Sequence, residues 1–280
     1  MSIDIAPIDH PSRSLPLDQT EFEGWQRDGY HVARGLFSAD EVARIRGRFD
    51  VLGDNGEPIA GHWEPDPDAT DILRRYPRVM QPHEIDSANM DVFLDRRVQV
   101  VLRQLMGEDI LGCQTMFYFK PPGARGQAFH QDNYYLLVQP YTCIAAWLAV
   151  DRSYPENGGL QVCPGTHTAD LECPDHADLT ESFTDDYVAP PVGHDPIGLD
   201  LQPGDMLFFT GSVIHGSGPN ATRDEWRRSF ISHYMPVSAT HIGGWYLPHM
   251  YDFDGRPVTR DSTTWGGPCG EDDSHSRGFH

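Results

Sequence analysis

Residues 129–135 read FHQDNYY, a histidine and an aspartate two positions apart in an aromatic, strand-like run. A strand sends residues i and i+2 to the same side, so the spacing predicts His130 and Asp132 facing one common point. From Leu111 onward the surrounding chain has the same texture. Short apolar or alternating runs follow one another: CQTMFYFK, CIAAWLAVD, GLQVCPG, DMLFFT, SVIHGSG and RRSFISHYMP. Turn residues such as ENGG, PGTH and QPGD separate them, which predicts a sandwich or barrel of short strands.

Upstream the pattern is helical. PLDQTEFEGWQRDGY reads as a short helix ending at Gly29, and SADEVARIRGRFDVLG as one capped by Ser38 and closing on Gly53. MDVFLDRRVQVVLRQLMG returns to helical spacing. Residues 54–85, rich in Pro, Gly and Asp, predict a long loop, in which His62, Trp63 and Tyr76 either face a ligand or anchor the surface. Beyond Thr240 no period is visible.

The chain has 280 residues, with 42 acidic against 21 basic side chains and a formal charge of −21. Such a surface repels phosphate backbones, so nucleic acid is not an expected partner. The charge serves solubility or draws in a cationic substrate. Five cysteines, an odd count without a C-x-x-C pair, signal neither a zinc site nor a disulfide framework. The start MSIDIAPIDHPSRSL lacks the apolar core of a signal peptide, no stretch approaches membrane-spanning length, and the final GFH is not a peroxisomal address. A reduced, cytoplasmic setting without membrane contact is the expectation.

An imidazole and a carboxylate converging from one strand, with a second imidazole from elsewhere, make the two-His-one-carboxylate set of non-haem Fe(II) oxygenases, which leaves positions open for co-substrate and oxygen. His215, at the end of the apolar run FFTGSVIHGSGPN with Gly216 and Gly218 beside it, is the best third ligand. The bland alternatives are a hydrogen-bonded core histidine at 130 and a turn-forming carboxylate at 132. A second H-x-D, His176 and Asp178 in CPDHADLT, lies in a Pro/Asp-rich stretch and reads as solvated loop.

FHQD, CIAAWLAVD, ENGGLQVCPGTH, LQPGDMLFF, IHGSGPN and RRSFISHYMP, in that order, resemble the phytanoyl-CoA dioxygenase family of Fe(II)/2-oxoglutarate oxygenases, over roughly residues 20 to 237. The resemblance implies a mainly β protein with flanking helices and a double-stranded β-helix core, a cupin-like jelly roll. It implies one oxygenase domain over 1–280: a mainly helical part at 1–110, the jelly-roll core at 111–237 and an irregular extension at 238–280. His130, Asp132 and His215 would hold Fe(II), with 2-oxoglutarate and O2 as co-substrates. Arg227 would bind the distal carboxylate of 2-oxoglutarate. It falls twelve residues after His215, one more than is usual in the family, so the adjacent Arg228 remains a rival. Ser217 and Trp147 resemble positions that line the co-substrate pocket.

Gln114, Asn133 and Tyr135, on or beside the strands framing the metal, are candidate substrate contacts. Gly158, Gly159, Gly165 and His167 read as turn residues. The implied reaction is oxidation, usually hydroxylation, of a C–H bond in a small molecule, with secondary-metabolite tailoring as the expected setting. Asp132 disfavours halogenation, since halogenating relatives carry a small residue there. Desaturation, epimerisation and oxidative ring closure are other outcomes of the same centre. The rivals are a cupin-like metalloenzyme independent of 2-oxoglutarate and a non-catalytic binding module. An amine-bearing or sugar-like substrate suits the acidic surface, whereas a CoA thioester lacks a basic cluster for its phosphates.

Overall fold

The computed structural model describes residues 17–140, 142–263 and 267–269. The N-terminal stretch 1–15 and the terminal GFH, weighed above as targeting signals, lie outside the described residues. In chain order the helices are α1 (Gln19–Asp28), α2 (Ala39–Asn55), α3 (Ile72–Arg75), α4 (Pro82–Ile85), α5 (Ser87–Phe93), α6 (Arg96–Met106) and α7 (Asn133–Leu136). The strands run β1 (Tyr30–Ala33), β2 (Val79–Met80), β3 (Ile110–Tyr118), β4 (Gln127–His130), β5 (Ile144–Ala149), β6 (Leu160–Val162), β7 (Asp175–His176) and β8 (Asp186–Tyr187). They continue with β9 (Ile197–Gly198), β10 (Met206–Thr210), β11 (His215–Ser217), β12 (Ser229–Pro236), β13 (His241–Ile242) and β14 (Asp261–Ser262). The protein is thus sheet-rich with flanking helices. None of the described helices is long and apolar enough to cross a membrane.

Two sheets carry the site. The larger has the order β1-β10-β5-β12-β3-β2, the smaller β4-β11-β6-β9. Side-chain alternation gives the large sheet two buried faces. Ile144, Ala146 and Leu148 of β5, with Phe208 and Phe230, join the core shared with the helices. Ala145, Trp147 and Ala149 of the same strand, with Leu207, Phe209 and Ile231, instead pack against Leu160 and Val162 of the small sheet.

Helix α2 shows how the outer core is built. Ser38 and Glu41 form a reciprocal capping box at its start. Val42, Ile45 and Phe49, spaced as one helical stripe, are its buried residues. Phe49 stacks on Phe117 of β3 at 3.6 Å between ring centroids and meets Phe230 of β12 edge-on at 6.3 Å. The helix runs past Gly53 and stops at Gly56, whose φ of +66° supplies the left-handed cap. The helical spacing around residues 90–107 resolves into two helices, with Asp95 capping the second, α6.

Several expectations for the loops change. Residues 54–85 contain α3, β2 and α4, and Trp63 is 1% exposed, donating its indole N–H to the Pro77 carbonyl, so it is an anchor in the core. His62 bonds the Met80 carbonyl. Residues 239–250 are well packed: Ala239, Ile242, Tyr246 and Met250 form a core with Leu111, Tyr134, Leu136 and Met235. Cys173 and Cys269 form a disulfide, against the expectation of free thiols throughout, while Cys113, Cys143 and Cys163 are free and buried. The two partners stand 96 residues apart, so their meeting depends on tail packing that spacing does not report.

Replacing Phe49 by alanine removes a ring stacked between helix and sheet. The expected loss is about 3–5 kcal/mol of stability, the usual cost of a large-to-small aromatic change in a core, read as a lower urea midpoint with an unchanged slope.

Candidate metal centre

His130 ends β4 and His215 begins β11, and the antiparallel register sets them directly opposite one another. Their ring centroids are 4.2 Å apart. Glycine makes this pairing possible: a Cβ on Gly216 would lie 3.0 Å from the Gln127 carbonyl oxygen and from the Phe129 nitrogen of β4. Asp132 is not on the strand. Its φ of −58° and ψ of −36° place it in the turn that opens α7, so it reaches the histidines through the turn rather than through strand alternation. The convergence expected of the H-x-D spacing therefore arises by a different local geometry.

Among the described residues, His130, Asp132 and His215 form a buried group whose ligand atoms lie within 4.8 Å of one another, close enough to hold one metal ion. Asp132 Oδ1 lies 3.4 Å from Nε2 of each histidine. Each imidazole donates its Nδ1 proton to a backbone carbonyl, His130 to Ala128 at 2.8 Å and His215 to Val213 at 3.0 Å. That bond selects the tautomer with a lone pair on Nε2, the atom facing Asp132. The donor set, two neutral imidazoles and one carboxylate on one side, fits a divalent iron with open positions. Burial raises the Asp132 carboxyl, but the imidazoles of His215, His233 and His130 around it outweigh burial and hold it well below the usual carboxylate range. Burial, and next the neighbouring His215 ring, lowers the pKa of His130, which favours the neutral, ligating form.

Residues from both sheets complete a cavity around this point. Along β12 and the two residues that lead into it, alternation turns Arg227, Ile231 and His233 into the cavity, whereas Arg228 faces away, paired with Asp50 and with Asp151 at 2.7 Å. Arg227 is 4% exposed and donates to the Ser229 hydroxyl at 2.9 Å, and its Nε has no hydrogen-bond partner. Burial lowers its pKa to about 10. Its guanidinium carbon stands 5.3 Å from the centre of the Trp147 ring. Ser217 also lines the cavity.

Gln114, Asn133 and Tyr135 lie elsewhere. Asn133 locks a turn, its Oδ1 accepting from the amides of Val138 and Cys143. Tyr135 donates to Asp186, and Gln114 sits opposite His233 in the β3–β12 ladder. None of the three lines the cavity. The second H-x-D is exposed on the β7–β8 hairpin, with His176 bonded to Asp185. Tyr76, by contrast, does line the cavity.

Two residues went unread in the sequence. Lys120 donates to the Ser217 hydroxyl at 2.9 Å and to the Gly218 carbonyl at 2.7 Å, neither of them charged. Burial and the like charge of Arg227 lower its pKa well below the ordinary value. Gly158 makes room for it: a Cβ there would meet Lys120 Cε at 2.5 Å, and φ is +72°. The signal was present in composition, because Lys120 is the only lysine in the chain. His233, on the large sheet, bonds Asp132 Oδ2 through Nε2 at 3.1 Å. Asp132 thus directs one oxygen to the two histidines of the small sheet and the other across to the large sheet.

The phytanoyl-CoA dioxygenase family profile matches residues 25–229. A methylphosphonate hydroxylase from Gimesia maris is 34% identical over 222 residues, covering 78% of this chain and 80% of that protein. Among solved structures, EctD from S. alaskensis matches with a TM-score of 0.67 at 24% identity, over 82% of this chain and 80% of that one. The carbocyclase SnoK from nogalamycin biosynthesis matches with a TM-score of 0.64 at 20% identity, over 80% and 86%.

The two H-x-D pairs offer an internal control. In a visible-absorption titration with Co(II), Asp132→Ala is expected to weaken binding by more than the ~10–100-fold that loss of an outer-shell partner costs. His176→Ala is expected to titrate like the parent protein.

Proposed function

The chain belongs to the phytanoyl-CoA dioxygenase family of Fe(II)/2-oxoglutarate-dependent oxygenases, and on that footing we propose that it hydroxylates a C–H bond of a small molecule at the His130–Asp132–His215 centre. The two sheets are read as a double-stranded β-helix of the cupin kind, one oxygenase domain with its site between the sheets. The observation that carries the proposal is a division of the cavity. Two imidazoles and a carboxylate meet at one point, and two buried basic side chains, Lys120 and Arg227, face the same space bonded to neutral groups.

Bound Fe(II) with 2-oxoglutarate supplies the oxidising power: one atom of O2 goes into succinate, CO2 leaves, and the other atom becomes the hydroxyl on the substrate carbon. The chain's residues provide position and environment. Arg227, with its Nε lacking a partner, is assigned the distal carboxylate of 2-oxoglutarate. Lys120 donates to the Ser217 hydroxyl and to the Gly218 carbonyl and so fixes the Ser217 hydroxyl beside the co-substrate position. Trp147 packs over the Arg227 guanidinium and excludes water, which strengthens the carboxylate contact. His233 holds Asp132 in place through Oδ2. Because Asp132 occupies a ligand position, none is left there for a halide.

For the setting we propose tailoring of a secondary metabolite, the context from which the SnoK carbocyclase of the same fold is drawn. The methylphosphonate hydroxylase of Gimesia maris, 34% identical to this chain, supports a small, polar substrate here.

Anaerobic addition of Fe(II) and then 2-oxoglutarate is expected to develop a visible charge-transfer band. Arg227→Ala should weaken 2-oxoglutarate binding by about 10- to 100-fold, the worth of a charge-assisted pair in a dry site. Arg228→Ala should leave it unchanged. Iron binding without any band in the parent protein would sink this reading.

A further inference from the structure

A second cavity, about 630 Å³, opens between α2 and the start of α5 and shares no lining residue with the metal cavity. Arg44, Arg48, Val51 and Leu52 of α2 line it, with Ile59 and Ile85 from the segment that follows the helix. The α2 positions recur at three- and four-residue spacing and so share one face, beside the stripe that the helix buries. Val51 is 59% exposed there.

The charges on this face are unanswered. Elsewhere Arg34, Arg46, Arg97, Arg125 and Arg152 each pair with a carboxylate. Among the described residues, Arg44 and Arg48 have no ion-pair, hydrogen-bond or ring partner. They stand one turn apart on the helix, where like charges repel, in a chain with 42 acidic side chains against 21 basic ones. The one carboxylate that lines the groove, Asp86, is committed: it caps α5, accepting from the amides of Ala88 and Asn89.

Asn89 is 3% exposed and still lines the groove, so it belongs to its floor. Its Nδ2 donates to the Pro82 carbonyl at 3.0 Å and to Asp86 at 3.3 Å. Both neighbours are acceptors, which fixes the amide with its nitrogen toward them. The other end, Oδ1, has no partner among the described residues, and a buried acceptor left so costs stability until a donor reaches it.

We propose that this groove is a second small-molecule site, one that takes an amphiphilic anion. The anionic head pairs with Arg44 and Arg48, the apolar body lies along Val51, Leu52, Ile59 and Ile85, and an N–H or O–H of the ligand donates to Asn89 Oδ1. The volume falls within the roughly 300–1,000 Å³ of small-molecule pockets. A protein partner is disfavoured, because Val51 is the one strongly exposed large apolar side chain on this face among the described residues, too little for the ~800 Å² that each side of a stable interface buries. Nothing in the site depends on the metal centre. Phe49 lines the groove and is also the ring stacked on Phe117 of β3, so an occupant touches the core and raises the melting temperature of the whole chain.

The probe is N-hexanoylglycine, which joins an apolar chain, an N–H and a carboxylate. It is titrated calorimetrically into the full chain, with and without Fe(II) and 2-oxoglutarate under anaerobic conditions. One equivalent should bind in both states. The neutral N-hexanoylglycinamide should bind about fivefold or more weakly, in line with loss of a partly exposed ion pair. N-hexanoylsarcosine, which keeps the charge but lacks the N–H, should bind about two- to tenfold more weakly. The double variant Arg44→Gln, Arg48→Gln should lose the preference for the anion, and Val51→Glu should weaken the anion by repulsion. All three positions lie at the surface of α2, and both variants should keep the parent's melting temperature without the probe and its 2-oxoglutarate affinity. Absence of binding, equal affinity for the glycinamide, a double variant that binds like the parent, or displacement of the probe by 2-oxoglutarate would overturn the proposal.

Discussion

The cross-strand pairing of His130 with His215 is the constraint on which the rest of the site depends. It comes from backbone hydrogen bonding between β4 and β11, and it holds two imidazoles a ring's width apart before any metal is considered. A slip of one residue in this register would turn every side chain of β11 to the other face. Gly216 permits the close approach, and the carbonyls of Ala128 and Val213 set both tautomers. Only then does the turn at Asp132 bring a carboxylate to the same point.

Asp132 also links the two sheets. One oxygen faces the histidines of the small sheet and the other takes a bond from His233 of the large one. A buried carboxylate is tolerable only where its charge is answered from several sides, and here the answer comes from both layers. The spacing between the sheets is maintained by an apolar wall of Trp147, Phe209, Ile231 and Leu160. The helices contribute at one remove, by burying the outer face of the large sheet so that the residues leading into β12 hold Arg227 in and Arg228 out.

Peripheral segments shape what the centre can accept. Residues 54–85 bring Tyr76 and Arg78 to the cavity, and the chain between β7 and β8 brings Phe183. The disulfide from Cys173 to Cys269 fastens the stretch leading into that hairpin to the end of the described tail. These parts line the cavity from its periphery, while two strand residues and the turn at Asp132 form the candidate metal centre, as is common where a rigid scaffold presents variable loops.

Much of the fold was legible in the sequence because it rests on local periodicity. The Ser38 cap, the stripe of Val42, Ile45 and Phe49, and the strand texture after Leu111 are each written within a few residues. FHQD and IHGSG, through their order and neighbours, pointed to three side chains that the structure brings together. What local pattern could not contain was decided by packing. The choice between Arg227 and Arg228 depends on which face of β12 looks inward. The turn conformation of Asp132 replaces the strand that FHQDNYY suggested. Asn133 is spent on a turn, and Cys173 meets Cys269 across 96 residues. The lone lysine and Arg78 show the limit most clearly: a sequence states that a charge is present, but its meaning depends on burial and on the charges around it, which exist only once the two sheets have closed on each other.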